Sequence, residues 1–187
     1  MNENQSIGMM EGAFFVPKSD LLAWVNTTLQ LDVKLIEQLG TGAVYCQLVD
    51  LMYPGKVALP RVNWRARNEW EFIGNLKILQ QGFAKCKIQK YIDIEKLSKG
   101  RYQDNLEFIQ WLKRYFDIHN KNDPKTYDAP SLRKNAVVDF SFVDIRNPLK
   151  PYSSLHSEAQ RTVKRMMRNP PRIFARPEVP MTKFGRR

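Results

Sequence analysis

Apolar residues recur at helical spacing along most of the first two thirds of the chain. The clearest example follows a basic turn, Lys99-Gly100-Arg101, and ends near Phe116. The apolar side chains there are three or four positions apart, so they form one stripe that a helix would bury. These side chains belong to Phe108, Ile109, Trp111, Leu112, Tyr115 and Phe116. The pattern predicts an amphipathic helix over residues 102–116, with the basic turn left at the surface.

Other segments carry helical patterns or helix-start signals, over residues 19–29, 32–39, 42–53 and 68–83. Ser19 and Asp32 are residue types that cap helix N-termini, which favours helix starts at these two positions. Residues 42–53 are apolar on nearly every side, as a buried central helix would be. Asp93 is expected to cap a short helical turn that precedes the basic turn Lys99-Gly100-Arg101.

The predicted fold is all-α, because no alternating strand pattern of useful length is present. About four main helices, joined by short connecting helices, are expected to form a single domain over residues 18–119. Trp24, Trp70 and Trp111 fall on apolar helical faces and are predicted to lie in the core of this domain.

The segments on either side of this domain have a different composition. Residues 1–17 are interpreted as a flexible lead-in. After residue 119 the chain becomes polar and rich in turn residues, and seven prolines follow from position 130 onward. Because proline removes a helix donor and stiffens extended chain, residues 120–187 are predicted to be a mostly disordered tail. Within that tail, residues 154–168 could form a short basic helix.

Positive charge is concentrated towards the C-terminal end. The whole chain has a formal net charge of +11. Residues 1–132 contain 17 Lys and Arg against 15 Asp and Glu, whereas residues 133–187 contain 13 against 4. A basic arm of this kind indicates an acidic polymer as partner: a nucleic acid, an anionic membrane or an acidic filament surface. The alternative is a solvated tail that binds nothing specifically.

Residues suited to catalysis or metal binding are few. Cys46, Cys86, His119 and His156 are the only residues of their types, and their spacing does not match a zinc site. Neither a glycine-rich phosphate loop nor a nucleophile–base pair can be assembled. We therefore predict a protein that is not an enzyme and uses no cofactor or metal. The chain start lacks a signal-peptide pattern, and no apolar run approaches the roughly 20 residues of a membrane span, so a soluble intracellular protein without membrane contact is expected.

Five blocks of sequence occur in an order and at a spacing typical of one family. They are Leu22-Ala23-Trp24-Val25-Asn26, Lys34-Leu35-Ile36-Glu37-Gln38-Leu39, Gly42-Ala43-Val44-Tyr45-Cys46-Gln47, Asn75-Leu76-Lys77-Ile78-Leu79-Gln80 and Lys99-Gly100-Arg101-Tyr102-Gln103-Asp104-Asn105. From about residue 18 to residue 116, the chain resembles the end-binding (EB) microtubule plus-end tracking proteins. The resemblance implies a calponin-homology fold and binding between tubulin subunits near growing microtubule ends. It also implies a location in the cytoplasm, on microtubules and on the spindle, and a part in cell division.

The resemblance also implies which residues contact the microtubule. In the family, that surface is built from cations in the loop before the long helix, near the end of that helix and in the turn before the last helix. The matching positions here are Arg61, Arg67, Lys90, Lys99, Arg101 and Gln103. Three of these cations are Arg where the family commonly has Lys, which keeps the charge and changes the donor geometry. Pro60 stands where many members have a further Lys.

The C-terminal part departs from the family pattern. The coiled coil, the four-helix cargo pocket and the acidic tail of typical members are not visible in residues 133–187. Coiled-coil dimerisation and capture of short cargo motifs are therefore not expected. Two alternatives stay open: binding to F-actin, as other calponin-homology domains do, and nucleic-acid binding through the basic tail. The tail shows no RNA-binding module and few aromatic residues, which makes nucleic acid an unlikely partner.

Overall fold

The computed structural model describes residues 15–141, and this part of the chain is helical without any β-strand. Its six α-helices are α1 (Lys18–Leu29), α2 (Ala43–Met52), α3 (Glu69–Cys86), α4 (Ile94–Ser98), α5 (Tyr102–His119) and α6 (Ala129–Leu132). Three 3₁₀ helices span Ile36–Thr41, Leu59–Arg61 and Pro124–Thr126. This arrangement confirms the all-α prediction. Residues 142–187, with the helix expected over 154–168, lie outside the described residues.

The central helix of the fold is α2, in which all ten residues are buried. It packs against α3 and also contacts α1 and the 3₁₀ helix Ile36–Thr41. Its two most polar residues, Gln47 and Asp50, are buried with hydrogen-bond partners from the C-terminal part of the domain. A helix that is apolar on nearly every side has to be surrounded, so the sequence pattern over 42–53 correctly predicted its central position.

The amphipathic helix α5 closes the domain and carries much of its aromatic core. Trp111 is buried between two rings of the same helix, with centroids 5.9 Å from Phe108 and 5.1 Å from Tyr115. Phe83 of α3 reaches the same cluster, 5.8 Å from the Trp111 ring. Aromatic pairs at these separations each contribute about 0.5–1.5 kcal/mol beyond the burial of their area. The predicted apolar stripe is confirmed, and the helix runs one turn further than predicted.

The prediction that Trp70 lies in the core is wrong. Its side chain is 69% exposed in the first turn of α3. The buried stripe of this helix begins with Phe72 and continues through Leu76 and Leu79 at helical spacing. Two residues are about 200° of rotation in an α-helix, so Trp70 lies on the face opposite to Phe72. Trp111 is buried in the core, as predicted, and Trp24 is half-buried and packs against it.

The first helix starts earlier than predicted and uses a different cap. Pro17 occupies the cap position with a φ of −54°, a value that suits the entry into a helix. The Ser19 hydroxyl, which was predicted to cap the helix, donates instead to the Asp20 carboxylate at 2.9 Å. Val16 exchanges two hydrogen bonds with the Gln110 side chain, at 3.2 and 2.6 Å. The predicted flexible lead-in therefore extends too far, because the chain is already tied to α5 at Val16.

The short helix predicted over residues 33–39, with Asp32 as its cap, forms only in its second half and as a 3₁₀ helix. Residues 31–35 are not helical, and a 3₁₀ helix follows them. The Asn26 side chain accepts a hydrogen bond from the Val33 N–H at 2.8 Å and donates to the Val33 carbonyl at 2.9 Å. The Gln38 side chain accepts a hydrogen bond from the Lys34 N–H at 2.8 Å. Because these side chains form hydrogen bonds with the backbone groups of residues 33 and 34, those groups are satisfied without an α-helix.

Residues 120–141 pack onto the domain, so the predicted domain end at residue 119 is too early. Ala129 and Val138 are buried. The Gln47 side-chain amide donates to the Ala129 carbonyl at 2.8 Å, which joins this segment to α2. Polar residues and prolines dominate the segment, and only a few apolar side chains dock. That composition explains why the hydrophobic pattern missed the docking.

The strongest polar anchor of this segment is Arg133, which is buried. Its Nη1 donates to the Leu29 carbonyl at 2.8 Å and to Gln47 Oε1 at 2.9 Å, and its Nη2 donates to the Gln30 carbonyl at 3.4 Å. Burial lowers the pKa of Arg133, although the group stays charged. Its side chain therefore joins the end of α1 to α2 and to the C-terminal segment.

Replacing Arg133 with Ala should destabilise the domain. The substitution leaves the Leu29 carbonyl and Gln47 Oε1 without their donor, which costs about 1–3 kcal/mol of unfolding free energy. Urea unfolding of the full chain, followed by circular dichroism, measures the change. Lys125→Ala is the matched control, because Lys125 is exposed, and its effect should stay below about 0.5 kcal/mol. Equal stability of the two variants would contradict the anchoring role.

Candidate functional site

The predicted contact residues lie in three parts of the surface. Arg61 is exposed at the end of its 3₁₀ helix, and Arg67 is exposed just before α3. Lys90 is half-buried in the loop that follows α3. The last group surrounds the start of α5, where Lys99 is half-buried and Arg101 and Gln103 are exposed. We call the segments 61–67 and 99–103 the first and second basic loops.

The first basic loop is held in place by Asn75, a buried residue of α3. The Asn75 amide donates to the Asn63 carbonyl at 3.0 Å and to the Thr41 carbonyl at 2.9 Å. Its Oδ1 accepts a hydrogen bond from the Asn63 N–H at 2.8 Å. One side chain therefore fixes the loop at Asn63, between Arg61 and Arg65, to the end of the 3₁₀ helix Ile36–Thr41.

Asn105 has the same role for the second basic loop. This residue of α5 is fully buried, and its amide donates to the Arg101 carbonyl at 3.0 Å and to the Leu97 carbonyl at 3.3 Å. Its Oδ1 accepts a hydrogen bond from the Tyr45 hydroxyl of α2 at 3.0 Å. Burial raises the pKa of Tyr45 well above its usual value, so the hydroxyl keeps its proton and remains a donor. The turn is thus anchored to the central helix.

The second basic loop also touches the 3₁₀ helix Ile36–Thr41 directly. A Cβ atom built on Gly40 would lie 2.9 Å from both the Gly100 Cα and the Leu97 carbonyl oxygen. Such distances leave no room for any side chain, so the two backbones are in direct contact. Gly100 has a φ of +61°, a conformation that glycine adopts without strain. Both basic loops are therefore attached to the same buried 3₁₀ helix.

Lys90 occupies a different part of the domain. Its Nζ lies 5.5 Å from the centroid of the Trp111 ring, within the range of a cation–π contact. The helix α3 has 18 residues, which corresponds to a length of about 27 Å at 1.5 Å per residue. Lys90 follows the C-terminal end of α3 and Arg67 precedes its N-terminal end. The structure therefore brings the two basic loops together and leaves Lys90 at the far end of α3.

Arg67 has an acidic partner that the sequence pattern did not indicate. Its Nε donates to the Asp139 carboxylate at 2.6 Å, and its backbone N–H donates to the Glu71 carboxylate at 2.7 Å. Hydrogen bonds from Ser141, together with the neighbouring Arg67 guanidinium, lower the pKa of Asp139. The carboxyl group is therefore ionised at neutral pH. Asp139 was missed because it is 72 residues away in the chain, within the predicted tail.

The arrangement as a whole can bind an acidic surface. Arg61, Arg67 and Arg101 are exposed cations on backbone that buried side chains hold in place, and Gln103 adds a neutral polar side chain. Within residues 15–141, no cluster of three or more His, Cys, Asp or Glu could hold a metal ion. Among the helices of this range, none combines the length and apolar character needed to cross a membrane. The residues that position the loops were not predicted as such: Asn75 and Asn105 belong to blocks that carry the family resemblance, but helical periodicity alone does not distinguish them from other polar helix residues.

The sequence matches known families over the same region. Residues 15–121 match the calponin homology (CH) domain model. The chain is 51% identical over 115 residues to microtubule-associated protein RP/EB family member 1C of Arabidopsis thaliana, covering 62% of this chain and 35% of that protein. It is 47% identical over 115 residues to family member 1B of the same plant, covering 62% of this chain and 39% of that protein. The chain therefore spans well under half the length of these relatives.

A solved structure is similar to the same domain. This structure was solved for work on the structural basis of microtubule plus end tracking by XMAP215, CLIP-170 and EB1. The TM-score is 0.61 with 41% sequence identity, and the match covers 64% of this chain and all of the other one. The likeness therefore extends over the complete length of the compared chain.

Adding a methyl group at Gly40 should displace the second basic loop. The new Cβ would overlap the backbone of residues 97 and 100, so Gly40→Ala should cost about 1–3 kcal/mol of unfolding free energy. Gly74→Ala in α3 is the control, because a Cβ there meets nothing within 4 Å and should stabilise the helix by about 0.5–1 kcal/mol. Thermal unfolding of both variants measures the difference. Equal stability of the Gly40 variant and the unmodified chain would mean that this backbone contact is loose.

Proposed function

Because the chain belongs to the calponin homology family and its domain is of the end-binding type, we propose that it binds microtubules and recognises their growing plus ends. The observation that carries the proposal is the attachment of two basic loops to one buried 3₁₀ helix in such a domain. This function is binding rather than catalysis. We expect the protein in the cytoplasm, on growing microtubule ends and on the spindle, with a part in microtubule dynamics and cell division.

The mechanism follows from charge and rigidity. The outer surface of tubulin is acidic, so exposed cations attract the domain over a distance that salt limits to about 8 Å at physiological ionic strength. A single exposed ion pair is worth only about 0–1 kcal/mol. Arg61, Arg67 and Arg101 lie on backbone that is already ordered, so several pairs can form together with little further loss of backbone entropy. The planar Arg side chain also matches a carboxylate through two parallel hydrogen bonds.

End recognition requires more than charge, because the whole microtubule lattice is acidic. The two basic loops are fixed relative to each other through the 3₁₀ helix Ile36–Thr41, so they present one spacing of cations to the lattice. A rigid spacing binds best where the arrangement of tubulin subunits matches it. We infer that this complementarity, rather than net charge, favours the growing end over the older lattice.

The basic C-terminal residues would serve a different purpose. Residues 142–187 contain 11 Lys and Arg against 3 Asp and Glu. We propose that residues 15–141 form the binding domain and that the following basic residues add affinity for the lattice without choosing the site. A second contact on the same chain raises the apparent affinity through its effective concentration.

Charge reversal in the second basic loop should abolish most of the microtubule binding. Arg101→Glu replaces attraction with repulsion at an exposed position, so the affinity should fall about tenfold or more while the melting temperature is unchanged. Co-sedimentation with stabilised microtubules measures the affinity. Lys125→Glu is the control. It makes the same change of charge outside the two basic loops, in a segment whose neighbouring residues Asn122 and Tyr127 bond to the C-terminal half of α2. Full binding by the Arg101 variant would rule out this site.

Fluorescence imaging of the labelled full chain on dynamic microtubules tests end recognition. We expect comets on growing ends, and a chain that stops after residue 141 should bind more weakly and keep the preference for ends. Uniform decoration by the shortened chain would show that the domain does not select the site. If the chain does not bind microtubules, the proposal fails. Co-sedimentation with F-actin would then favour actin binding, and retention of RNA would favour nucleic-acid binding.

A further inference from the structure

Residues 136–141 lie along the first basic loop, and we call this segment the C-terminal strap. The Asp139 N–H donates to the Trp64 carbonyl at 3.1 Å, which joins the strap to the loop backbone. Phe140 packs against Ala66 and Phe72, a small apolar cluster beneath the loop. The strap is therefore seated through backbone and apolar contacts that do not involve any charge.

The strap also places a carboxylate on the guanidinium of Arg67. Both Nε and Nη2 of Arg67 contact the same oxygen, Asp139 Oδ2, and the Nε distance is 2.6 Å. The Arg67 side chain is 68% exposed, whereas the Asp139 side chain is 15% exposed. The other carboxylate oxygen, Oδ1, accepts the Ser141 N–H at 2.8 Å. The acid is thus held by the protein, and the cation reaches it from the solvent side.

We propose that Asp139 is a built-in competitor that occupies Arg67 and sets the affinity of the domain for an acidic filament surface. The inference rests on the proposed function and names a further residue that controls the same site. The Nε–Nη2 edge of Arg67 is the edge that would pair with a carboxylate of tubulin. As long as Asp139 holds this edge, an external carboxylate has to displace it. The paired charges also cancel, which removes one cation from the long-range attraction.

Neutralising Asp139 separates this competition from the folding of the strap. Asp139→Asn keeps the size of the side chain, an acceptor for the Ser141 N–H and the backbone bond to Trp64. Hydrogen exchange at residue 139 checks the seating, because the amide bonded to the Trp64 carbonyl should remain protected in the variant. A variant that retains this protection reports the effect of the charge alone.

The test is co-sedimentation of the full chain with microtubules at low and at physiological ionic strength. Asp139→Asn should bind about two- to fivefold more tightly than the unmodified chain, the range that an exposed ion pair provides. The advantage should shrink as salt is added, because screening weakens the freed cation. Asp117→Asn is the matched control, since Asp117 pairs with Lys113 on α5 and its loss should leave the affinity unchanged.

A double variant assigns the effect to Arg67. In an Arg67→Gln background, Asp139→Asn should give no gain, because the cation for which Asp139 competes is absent. Unchanged or weaker binding by the single variant overturns the inference, since Asp139 would then be neutral or would position Arg67 for the microtubule. A gain that persists in the Arg67→Gln background overturns it too. If the unmodified chain does not bind microtubules, the proposed function fails together with this inference, whereas binding without a gain contradicts the inference alone.

Discussion

The contact between the 3₁₀ helix Ile36–Thr41 and the turn that precedes α5 organises the candidate surface. Gly40 meets the backbone at Leu97 and Gly100 without space for a side chain. The carbonyl of Thr41, at the end of the same 3₁₀ helix, accepts a hydrogen bond from Asn75. The same Asn75 side chain also bonds to the backbone of the first basic loop at Asn63. Two loops that are distant in sequence are therefore held by one buried element. Their relative position depends on backbone packing and buried hydrogen bonds rather than on the exposed cations.

The exposed charges lie on a scaffold that buried residues stabilise. Asn75 and Asn105 donate hydrogen bonds to the loop backbone, and leaving buried polar groups of this kind unpaired would destabilise the domain. The loops are consequently ordered before any partner arrives, so that binding requires little additional ordering. The same logic applies to Arg67, whose guanidinium already has a carboxylate partner in Asp139. Its availability is a property of the whole domain and cannot be judged from its exposure alone.

Much of the fold could be predicted because its signals are local. The apolar stripe of α5 and the all-round apolar character of α2 depend on residues within a few turns of one another, and both helices form where expected. The cations of the candidate surface could be named through family resemblance. The resemblance could not indicate Asp139, which meets Arg67 across 72 residues of chain. Trp70 was misjudged for a related reason, since an apolar residue next to a buried stripe does not itself have to be buried.

The sequence by itself determined the helical class, the main helices and the uneven distribution of charge, because periodicity and composition are properties of the chain. Only the tertiary structure decided that residues 31–35 are not helical, since the Asn26 side chain captures the Val33 backbone. It also decided that residues 120–141 join the domain, through a buried Arg133 that no hydrophobic pattern reveals. In each case the deciding interaction is a specific hydrogen bond or a close contact between distant segments. Such interactions depend on three-dimensional proximity, which local periodicity does not encode.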